Sequence, residues 1–415
     1  MNEHGESRRG VVSRRELCAI AAAGLASSVL QGCSRKRATP LAETQHLRAL
    51  DTIDRRTAIA GVQRGNGVQV VEEAVRAAAE AVTDFSWLAS GDTVLVKPAS
   101  NSRYPYPSNT DPRALWSMIR MLKEKGAKRV VVADMSGAQY LKFDKNGPRG
   151  SGSREIMQEN RIAQAAKDAG GEIQAFEDLG WDGFYEDAPT AMGFWIGPVM
   201  MPEVLREVDH VVLMPRCARH IVAGNSLGLK AAVGWWRHDS RLEYHRDAAT
   251  LQEKTADANT VPTLRQKQRL VLTSATKVLS TFGPDCGYVS EPDTGLVLAS
   301  TDVVAHDMVS LAWLIENRDA MAPHKREGPI DDPNTSAFVA NFANRLVTYW
   351  LGGLSESFRT ESVRRYPLNS IWQDRTLQRA FEVLGGLPHL ELEFANGSTP
   401  ALLKDKLRQR VTFPS

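Results

Sequence analysis

The fold is decided by residues 93–134, which read TVLVKPASNSRYPYPSNTDPRALWSMIRMLKEKGAKRVVVAD. Apolar runs at 93–97 and 129–134 predict two buried strands. Between them, residues 112–125 have the spacing of an amphipathic helix, with Pro112 suited to its first turn and Gly126 to its C-cap. A strand, a helix and a strand in this order predict a βαβ unit, in which two parallel strands are joined by a right-handed crossover.

The same alternation extends in both directions from this unit. A strand is expected at 57–62 and a helix at 68–82, and further along a helix at 153–169 precedes strands at 172–176 and 210–215. We therefore predict an α/β protein of two lobes, with mostly parallel sheets, flanking helices and a cleft between the lobes.

The second half of the chain is expected to contain more helix. The expected elements are a helix at 226–236, a polar loop at 237–259, a long helix at 262–282, short strands at 286–290 and 295–299, and a helix that ends at Asn317. Ser300 or Thr301 is expected to cap that last helix.

The N-terminus has the pattern of an export signal. The motif SRREL at 13–17 precedes an apolar, small-residue run at 18–30 that is short for a membrane-spanning helix. It resembles a signal of the twin-arginine pathway, which implies the twin-arginine translocase as a partner and export in a folded state. The motif LQGC at 30–33 resembles a lipobox, in which lipid on Cys33 anchors the protein to the membrane outside the cytoplasm. The alternatives are a general secretory signal and cleavage without a lipid.

These patterns divide the chain into four segments. They are a signal at 1–33, a polar tether at 34–56, a body at 57–317 that contains the two lobes, and a mixed C-terminal extension at 318–415 that packs on the body.

The composition excludes two classes of site. The chain has 51 basic and 49 acidic residues, a balance that gives no electrostatic affinity for a polyanion, so nucleic acid is excluded as a partner. Beyond the signal and the lipobox only Cys217 and Cys286 remain, which are too few ligands for an iron–sulfur cluster. A disulfide between them and an inert buried thiol at Cys217 are the two alternatives.

The densest group of reactive side chains lies at 215–230, which read PRCARHIVAGNSLGLK and follow an expected strand. Ligands of open α/β sheets bind at the carboxyl ends of strands. Gly224 and Gly228 would let the backbone approach a ligand, and Ser226 would cap a helix whose free N–H groups attract anions. In the first turn of that helix, Lys230 either pairs with an anion or is biased toward its neutral, nucleophilic form. The alternative is a capped helix whose lysine extends to solvent.

Several spaced motifs resemble one known family. They are VLVKP at 94–98, NTDPR at 109–113, GAKRVVV at 126–132, H-x3-G-x-S-x3-K at 220–230 and STD-x-VA-x-D at 300–307. In this order they resemble the family called domain of unknown function 362, over about residues 57–317. The resemblance implies an unassigned activity. Many members carry an iron–sulfur segment that this sequence does not have.

The stretch from His220 to Lys230 also resembles a segment of lactate racemase and its relatives. In those proteins the lysine is joined covalently to a nickel-pincer nucleotide, and a later histidine binds the nickel. The resemblance implies His220 as a proton or hydride relay, Lys230 as the cofactor tether and His245 as the metal ligand, since imidazole suits nickel.

The expected cleft gathers three sets of side chains. They are the catalytic candidates His220, Lys97 and Arg103, the cofactor-binding candidates Lys230, Gly224, Ser226, Gly228 and Asn101, and the metal candidates His245 and His238. The sequence departs from lactate racemase at 135–137, where Met-Ser-Gly stands in place of its second catalytic histidine, and this argues against a two-base racemase.

Two other polar or aromatic groups have simpler explanations. Asp302 and His306 would share one helix face, and a capped helix start accounts for both of them. Trp235 and Trp236 are expected to pack in the core rather than to stack on a ligand.

The leading hypothesis is an exported enzyme of isomerase, racemase or oxidoreductase type, acting on a small anionic substrate with a lysine-held nucleotide or metal cofactor. One alternative is a non-catalytic lipoprotein that binds a small anion outside the cytoplasm. The other is an assembly factor for a different exported cofactor enzyme.

Overall fold

The computed structural model describes residues 44–414, apart from residues 66, 282, 284, 286, 327–337 and 365–368. The predicted signal, the lipobox with Cys33 and the first part of the predicted tether lie outside the described residues. Residues Glu43–Ser415 group into one compact unit. Among the residues described, no helix has both the length and the apolarity needed to cross a bilayer.

The described residues form the following β-strands. They are β1 (Thr52–Gln63), β2 (Thr93–Pro98), β3 (Arg129–Asp134), β4 (Leu141–Asp144), β5 (Gly147–Gly150), β6 (Glu172–Ala175), β7 (Phe184–Asp187), β8 (Val199–Pro202), β9 (His210–Met214), β10 (Ala218–His220), β11 (Gly224–Ser226), β12 (Gln268–Ala275), β13 (Val278–Leu279), β14 (Val289–Ser290), β15 (Thr294–Ser300) and β16 (Leu387–Phe394).

The helices include α-helices and short 3₁₀ segments. The α-helices are α1 (Val68–Val82), α2 (Pro112–Glu124), α3 (Ser153–Glu159), α4 (Ile162–Asp168), α5 (Val204–Glu207), α6 (His238–Arg246), α7 (Leu251–Asp257), α8 (Pro262–Lys267), α9 (Val303–Asp319), α10 (Pro323–Arg326), α11 (Phe338–Gly352), α12 (Leu354–Arg359), α13 (Arg375–Val383) and α14 (Ala401–Val411). The 3₁₀ segments are Gln45–Ala49, Phe176–Leu179, Leu229–Trp235, Ala248–Thr250, Ala258–Thr260 and Ile371–Gln373.

An eight-stranded sheet organises the molecule, with the order β16-β1-β15-β12-β9-β2-β3-β6. Neighbouring strands are parallel except where β15 runs antiparallel to both β1 and β12. The structure thus confirms the α/β class with a mostly parallel sheet and flanking helices. The strands of this one sheet span the described chain from β1 to β16, and a smaller sheet, β11-β10-β13-β14, stands beside it.

Helices cover the large sheet because its strands are apolar on both faces. In β2, Val94 and Val96 pack against α1 and α2, whereas Leu95 packs in a second cluster on the opposite face. Side chains alternate between the faces of a strand, so a strand covered on both sides has an uninterrupted apolar run. This is why residues 93–134 predict the fold so directly: β3 is confirmed at its predicted bounds, and β2 and α2 differ by one residue.

Both ends of the described chain belong to the sheet. The strand β1 begins at Thr52, and Leu47 of the preceding 3₁₀ segment is fully buried, so the folded body starts within the predicted tether. The strand β16 pairs in parallel with β1 along its whole length, from Thr52 opposite Leu387 to Ile59 opposite Phe394. The C-terminal extension therefore supplies an edge strand of the main sheet.

One predicted helix, at 153–169, is divided in two. The break lies at Arg161, which has a left-handed backbone conformation with φ of 69° between α3 and α4. The preceding Asn160 is buried and donates to Ser100 Oγ at 2.9 Å and to the Ser102 carbonyl at 3.0 Å. These contacts with the loop after β2 hold the chain out of helical register, which the sequence pattern does not reveal.

The predictions for 237–282 are wrong. The predicted polar loop contains α6 and α7, and the predicted long helix is the short α8 followed by β12. In β12, Leu270 and Leu272 face one core cluster while Val271 faces another, the period of a strand buried on both sides. An apolar run of this length is ambiguous between a buried helix and a buried strand.

Candidate functional site

A pocket of about 130 Å³ lies at the carboxyl ends of β2, β3 and β9, where the sheet meets the loops that follow those strands. This is the edge at which open α/β sheets bind ligands. The pocket brings together several of the residues that the sequence singled out. They are Lys97, Asn101, His220, Ser226, Lys230 and His245.

Four predicted residues do not line the pocket. Arg103 pairs with Glu159 at 3.4 Å on the surface. Gly224 lies in the β10–β11 hairpin with φ of 87°, a conformation that favours glycine. Gly228 and His238 make contacts away from the pocket. The Gly228 N–H donates to Asp307, and His238 Nδ1 accepts from the Phe143 N–H at 2.8 Å.

The lysine at the end of β2 is buried and neutralised. Lys97 Nζ lies 2.9 Å from Asp134 Oδ1, and both side chains are almost fully buried. The Asp134 carboxylate also accepts from the N–H groups of Ser100 at 2.7 Å and Met135 at 2.9 Å. Burial lowers the pKa of Lys97 while the Asp134 carboxylate opposes that shift. A Cβ on Gly234 would overlap both charged groups, so glycine is required there for this close approach.

Two arginines add positive charge that sequence analysis did not assign to the site. Arg241 is 2 % exposed and donates to the carbonyls of Trp236, Ser136 and Met135, at 2.9, 2.6 and 2.8 Å. Arg216 is 1 % exposed and donates through Nε to Ser226 Oγ at 3.1 Å. Burial lowers the pKa of each guanidinium to about 10, so both stay charged at neutral pH.

The structure corrects the prediction that Ser226 caps the helix of Lys230. Ser226 lies in β11, and the following segment is the 3₁₀ helix Leu229–Trp235. The N–H groups of Gly228 and Leu229 at its start both donate to the carboxylate of Asp307, each at 2.7 Å. A side chain from α9 therefore already occupies the place where an anion was expected.

Lys230 forms no ion pair with a carboxylate of the described residues. Among the described residues, the charged groups that act on its amine are the cations Arg216, Arg241 and Lys97. Burial, and then these like charges, lower the pKa of Lys230 to about 7. The amine is thus divided between its charged and its neutral form at physiological pH.

His220 is a hydrogen-bond donor toward the pocket. Its Nδ1 accepts from the backbone N–H groups of Val222 and Ala223, both at 3.2 Å. Burial, and then the charge of Lys230, lower the pKa of His220 well below its usual value. A neutral imidazole that accepts at Nδ1 carries its proton at Nε2.

His245 has the opposite tautomer. Asn344 Nδ2 donates to the His245 carbonyl at 2.7 Å, which orients the amide so that Asn344 Oδ1 accepts from His245 Nδ1, also at 2.7 Å. Burial lowers the pKa of His245 to about 4, so the ring is neutral and Nε2 has a free lone pair. The predicted C-terminal extension thus contributes to the site through α11, whose Ala343 and Val347 also line the pocket.

A tethered nickel nucleotide does not fit these residues as the sequence predicted. The expected phosphate seat is filled by Asp307, whose carboxylate would repel a phosphate. Across the described residues, no group of three or more His, Cys, Asp or Glu side chains could hold a metal ion. His245 Nε2 is by itself oriented as a ligand would be, with its second nitrogen donating to an amide oxygen.

The remaining candidates have structural roles. Asp302 caps α9 by accepting from the Ala305 N–H at 2.8 Å, a role that the sequence assigned to Ser300 or Thr301. His306 is fully buried, 2.9 Å from both Thr273 Oγ1 and Asp307 Oδ1. Cys217 is a buried free thiol, and Cys286, its partner in the disulfide alternative, lies outside the described residues.

The two tryptophans pack in the core, as predicted. Trp235 stacks on Phe176 with ring centroids 5.5 Å apart. Trp236 contacts Trp195 and Tyr244 edge to face, at 5.0 and 5.2 Å.

Together, the fold and the site define an α/β protein with a small cation-lined pocket at the carboxyl edge of a mostly parallel sheet. The sequence matches the family described as Domain of unknown function (DUF362) over residues 94–312, slightly more than half of the chain, and the protein belongs to this family. A search of curated proteins finds no match to the chain. The segments outside the match include β1, α1 and β16, which are nevertheless parts of the same sheet and its cover.

Proposed function

We propose that the pocket binds a small organic anion, of which a carboxylate is the best-fitting class, and that Lys230 is its main contact. The observation that carries the proposal is the sign of the lining charges. Four cationic side chains line the pocket: Lys97, Arg216, Lys230 and Arg241. No Asp or Glu is among the described residues that line it. Positive charge without compensation in a low-dielectric pocket stabilises an anion.

The cations contribute in different ways. The Arg241 guanidinium donates to backbone carbonyls, so it acts on a ligand through its charge rather than by direct contact. Lys97 is already paired with Asp134. Lys230 Nζ and the Nε2 proton of His220 are therefore the donors that a carboxylate would meet. Charge-assisted hydrogen bonds of this kind are among the strong ones in proteins.

The size of the pocket limits the ligand. A volume of about 130 Å³ is close to the ~150 Å³ cavity that holds one benzene molecule. A ligand of roughly six heavy atoms fits, such as lactate or pyruvate, whereas a nucleotide exceeds the space. The anion-binding alternative is thus better supported than a nucleotide cofactor.

The location of the protein is part of the proposal. The SRREL motif at 13–17 and the LQGC motif at 30–33 support export by the twin-arginine translocase and a lipid anchor at Cys33. The anion would then be met outside the cytoplasm. Whether the protein is an enzyme depends on a reactive group in the pocket, and the Lys230 amine is the candidate.

The test is calorimetric titration of the full chain with L-lactate, with acetate as a smaller probe, at pH 6.0 and pH 8.5. We expect affinity for lactate to fall about ten-fold or more between these values. The reason is that Lys230 is charged below its pKa of about 7 and neutral above it, and only the charged form attracts the anion.

The Lys230→Met variant supplies the decisive comparison. It should weaken lactate binding at pH 6.0 by about ten-fold or more and remove the pH dependence. The matched control is Lys145→Met, which removes an exposed lysine in the turn between β4 and β5 and should leave both unchanged. Failure of both probes to bind, or binding that Lys230→Met leaves intact, would overturn the proposal.

A further inference from the structure

Lys230 is partly exposed, and it differs from the buried lysines of the described chain, Lys97 and Lys254, in having no carboxylate beside it. Lys97 pairs with Asp134 at 2.9 Å, and Lys254 pairs with Glu243 at 2.9 Å and Asp247 at 2.6 Å. The charges that act on Lys230 are instead those of neighbouring cations. An amine in this setting gains little from being protonated, and its lone pair is correspondingly available.

The pocket separates the charge that binds an anion from the amine that could react with it. Arg216 and Arg241, with pKa values of about 10, stay charged at pH 7, whereas Lys230, with a pKa of about 7, is half neutral there. A carboxylate can thus be held by the field of the two guanidinium groups while Lys230 is in its nucleophilic form. A desolvated lysine next to other cations is a known way to activate an amine for attack on a carbonyl.

We infer that Lys230 is a nucleophile that forms a Schiff base with a small anion carrying an aldehyde or ketone group, such as a 2-oxo acid. This inference rests on the proposed function, because the pocket must first bind the carboxylate. It extends that function by naming the carbonyl as the group on which the protein acts. The result is a covalent intermediate on this chain's own lysine, with no cofactor required.

The reaction balances without an oxidant or a reductant. The lone pair of neutral Lys230 Nζ forms a bond to the carbonyl carbon, and the carbonyl π electrons move to oxygen, which takes a proton. The nitrogen loses a proton, and a second protonation of the oxygen releases water as the C=N⁺ bond forms. The sum is an amine, a carbonyl compound and one proton giving an iminium ion and water.

The two pocket histidines have the tautomers that these proton transfers need. His220 carries a proton at Nε2 because Nδ1 accepts from Val222 and Ala223, so it can donate to the carbonyl oxygen. His245 has a free Nε2 lone pair because Nδ1 donates to Asn344, so it can accept the proton that the nitrogen loses. Both rings line the same pocket as Lys230. Such a step requires one group that can donate a proton and another that can accept one, both in the same site.

The experiment is reductive trapping of the full chain at pH 7 with pyruvate and cyanoborohydride, followed by peptide mass spectrometry. Cyanoborohydride converts a Schiff base to a stable secondary amine, so the lysine that forms it gains a 1-carboxyethyl group in place of one hydrogen. We expect the peptide containing Lys230 to be modified at least ten-fold faster than any other lysine peptide. About half of the Lys230 amine is neutral at pH 7, compared with roughly one in two thousand for an exposed lysine.

Two probes test whether the pocket, rather than basicity alone, directs the reaction. Acetone has the ketone of pyruvate without its carboxylate and should modify Lys230 at least ten-fold more slowly. L-Lactate has the carboxylate without the ketone and should slow the reaction with pyruvate by competition. Lys230→Met should abolish the fast modification, and Lys145→Met should leave it unchanged.

The outcomes separate the inference from the proposed function. If lactate binds but pyruvate does not modify Lys230, the Schiff base is wrong and the anion site stands. Equal rates with acetone and pyruvate overturn the inference, because the carboxylate then contributes nothing. If neither lactate nor pyruvate binds, both the inference and the proposed function fail. Selective, lactate-sensitive modification of Lys230 by pyruvate supports both.

Discussion

Two regions of this molecule enclose a lysine, fully in one case and partly in the other, and they treat its charge in opposite ways. Between α6 and α7, Lys254 is fully buried and its amine lies between the carboxylates of Glu243 and Asp247. In the pocket, Lys230 faces Arg216 and Arg241 and is paired with no carboxylate of the described chain. The charge of Lys254 is therefore neutralised by nearby carboxylates without a ligand, whereas that of Lys230 is not.

The difference shows how to distinguish a structural charge from a functional one. A buried ion is costly, so a protein that uses it only for folding provides partners close by. A partly buried cation whose neighbours are also cations destabilises the fold, and a bound anion would offset that cost. The lack of a compensating carboxylate, rather than burial, is therefore what supports the pocket as the proposed site.

The largest expected effect is on the compensated region. Lys254→Met should reduce the free energy of unfolding by about 3 kcal/mol, because it leaves two partly buried carboxylates without their shared cation. Urea denaturation at pH 7 measures the loss. The folded variant should still bind lactate as the wild type does. A loss below about 1 kcal/mol would mean that this triad is no more structural than a surface pair and would remove the contrast.

An intermediate effect is expected from Asp307→Asn, which tests whether Lys230 has a hidden partner. The change weakens the two hydrogen bonds from Gly228 and Leu229, for an expected loss of about 2 kcal/mol in urea denaturation. Lactate affinity at pH 6.0 should change less than about two-fold, because Asp307 acts on the helix start rather than on the Lys230 amine. A large rise in affinity would instead show that Asp307 neutralises the pocket.

The smallest effect is expected from Lys230→Met, measured by urea denaturation across pH 7 to 10. Because the folded-state pKa of Lys230 is depressed to about 7, the unfolded chain binds more protons between pH 7 and 10. The contribution of Lys230 to the free energy of unfolding of the wild type therefore rises between pH 7 and pH 10. The variant should be more stable than the wild type at pH 7, by about 1 kcal/mol, and the gain should shrink toward pH 10.

A matched measurement on Lys145→Met controls for the loss of one positive charge. That exposed lysine should show no stability difference that depends on pH in this range. If Lys230→Met were less stable than the wild type at pH 7, Lys230 would have a stabilising partner and would be a structural lysine like Lys254.

Much of the fold could be predicted from the sequence because it depends on short-range periodicity. The strands and helices between residues 57 and 134 have apolar spacings that a window of a dozen residues reveals. Prediction failed at 153–169 and 262–282, where local pattern is ambiguous. The predicted helix at 153–169 is interrupted because Asn160 contacts Ser100 and Ser102. Much of the predicted helix at 262–282 is instead the strand β12, which pairs with β9 and β15.

For the site, the sequence predicted which residues carry chemistry and that several of them meet. His220, Lys230 and His245 converge on one pocket, as their order after a predicted strand indicates. Their proposed roles stay predictions. Arg216 was within the quoted motif at 215–230, and its burial is what distinguishes it from an ordinary surface arginine.

Only the tertiary structure decided the electrical state of that pocket, because charge compensation depends on residues far apart in the chain. Asp307 closes the helix start from 79 positions beyond Gly228. Asn344 sets the tautomer of His245 from 99 positions away, and Arg241 reaches the Ser136 carbonyl across 105. Periodicity shows which face of an element is buried, but the counter-ion of a buried charge is chosen by packing. The sequence therefore predicts a reactive lysine at an edge of the sheet, and the fold determines that no carboxylate of the described chain accompanies it.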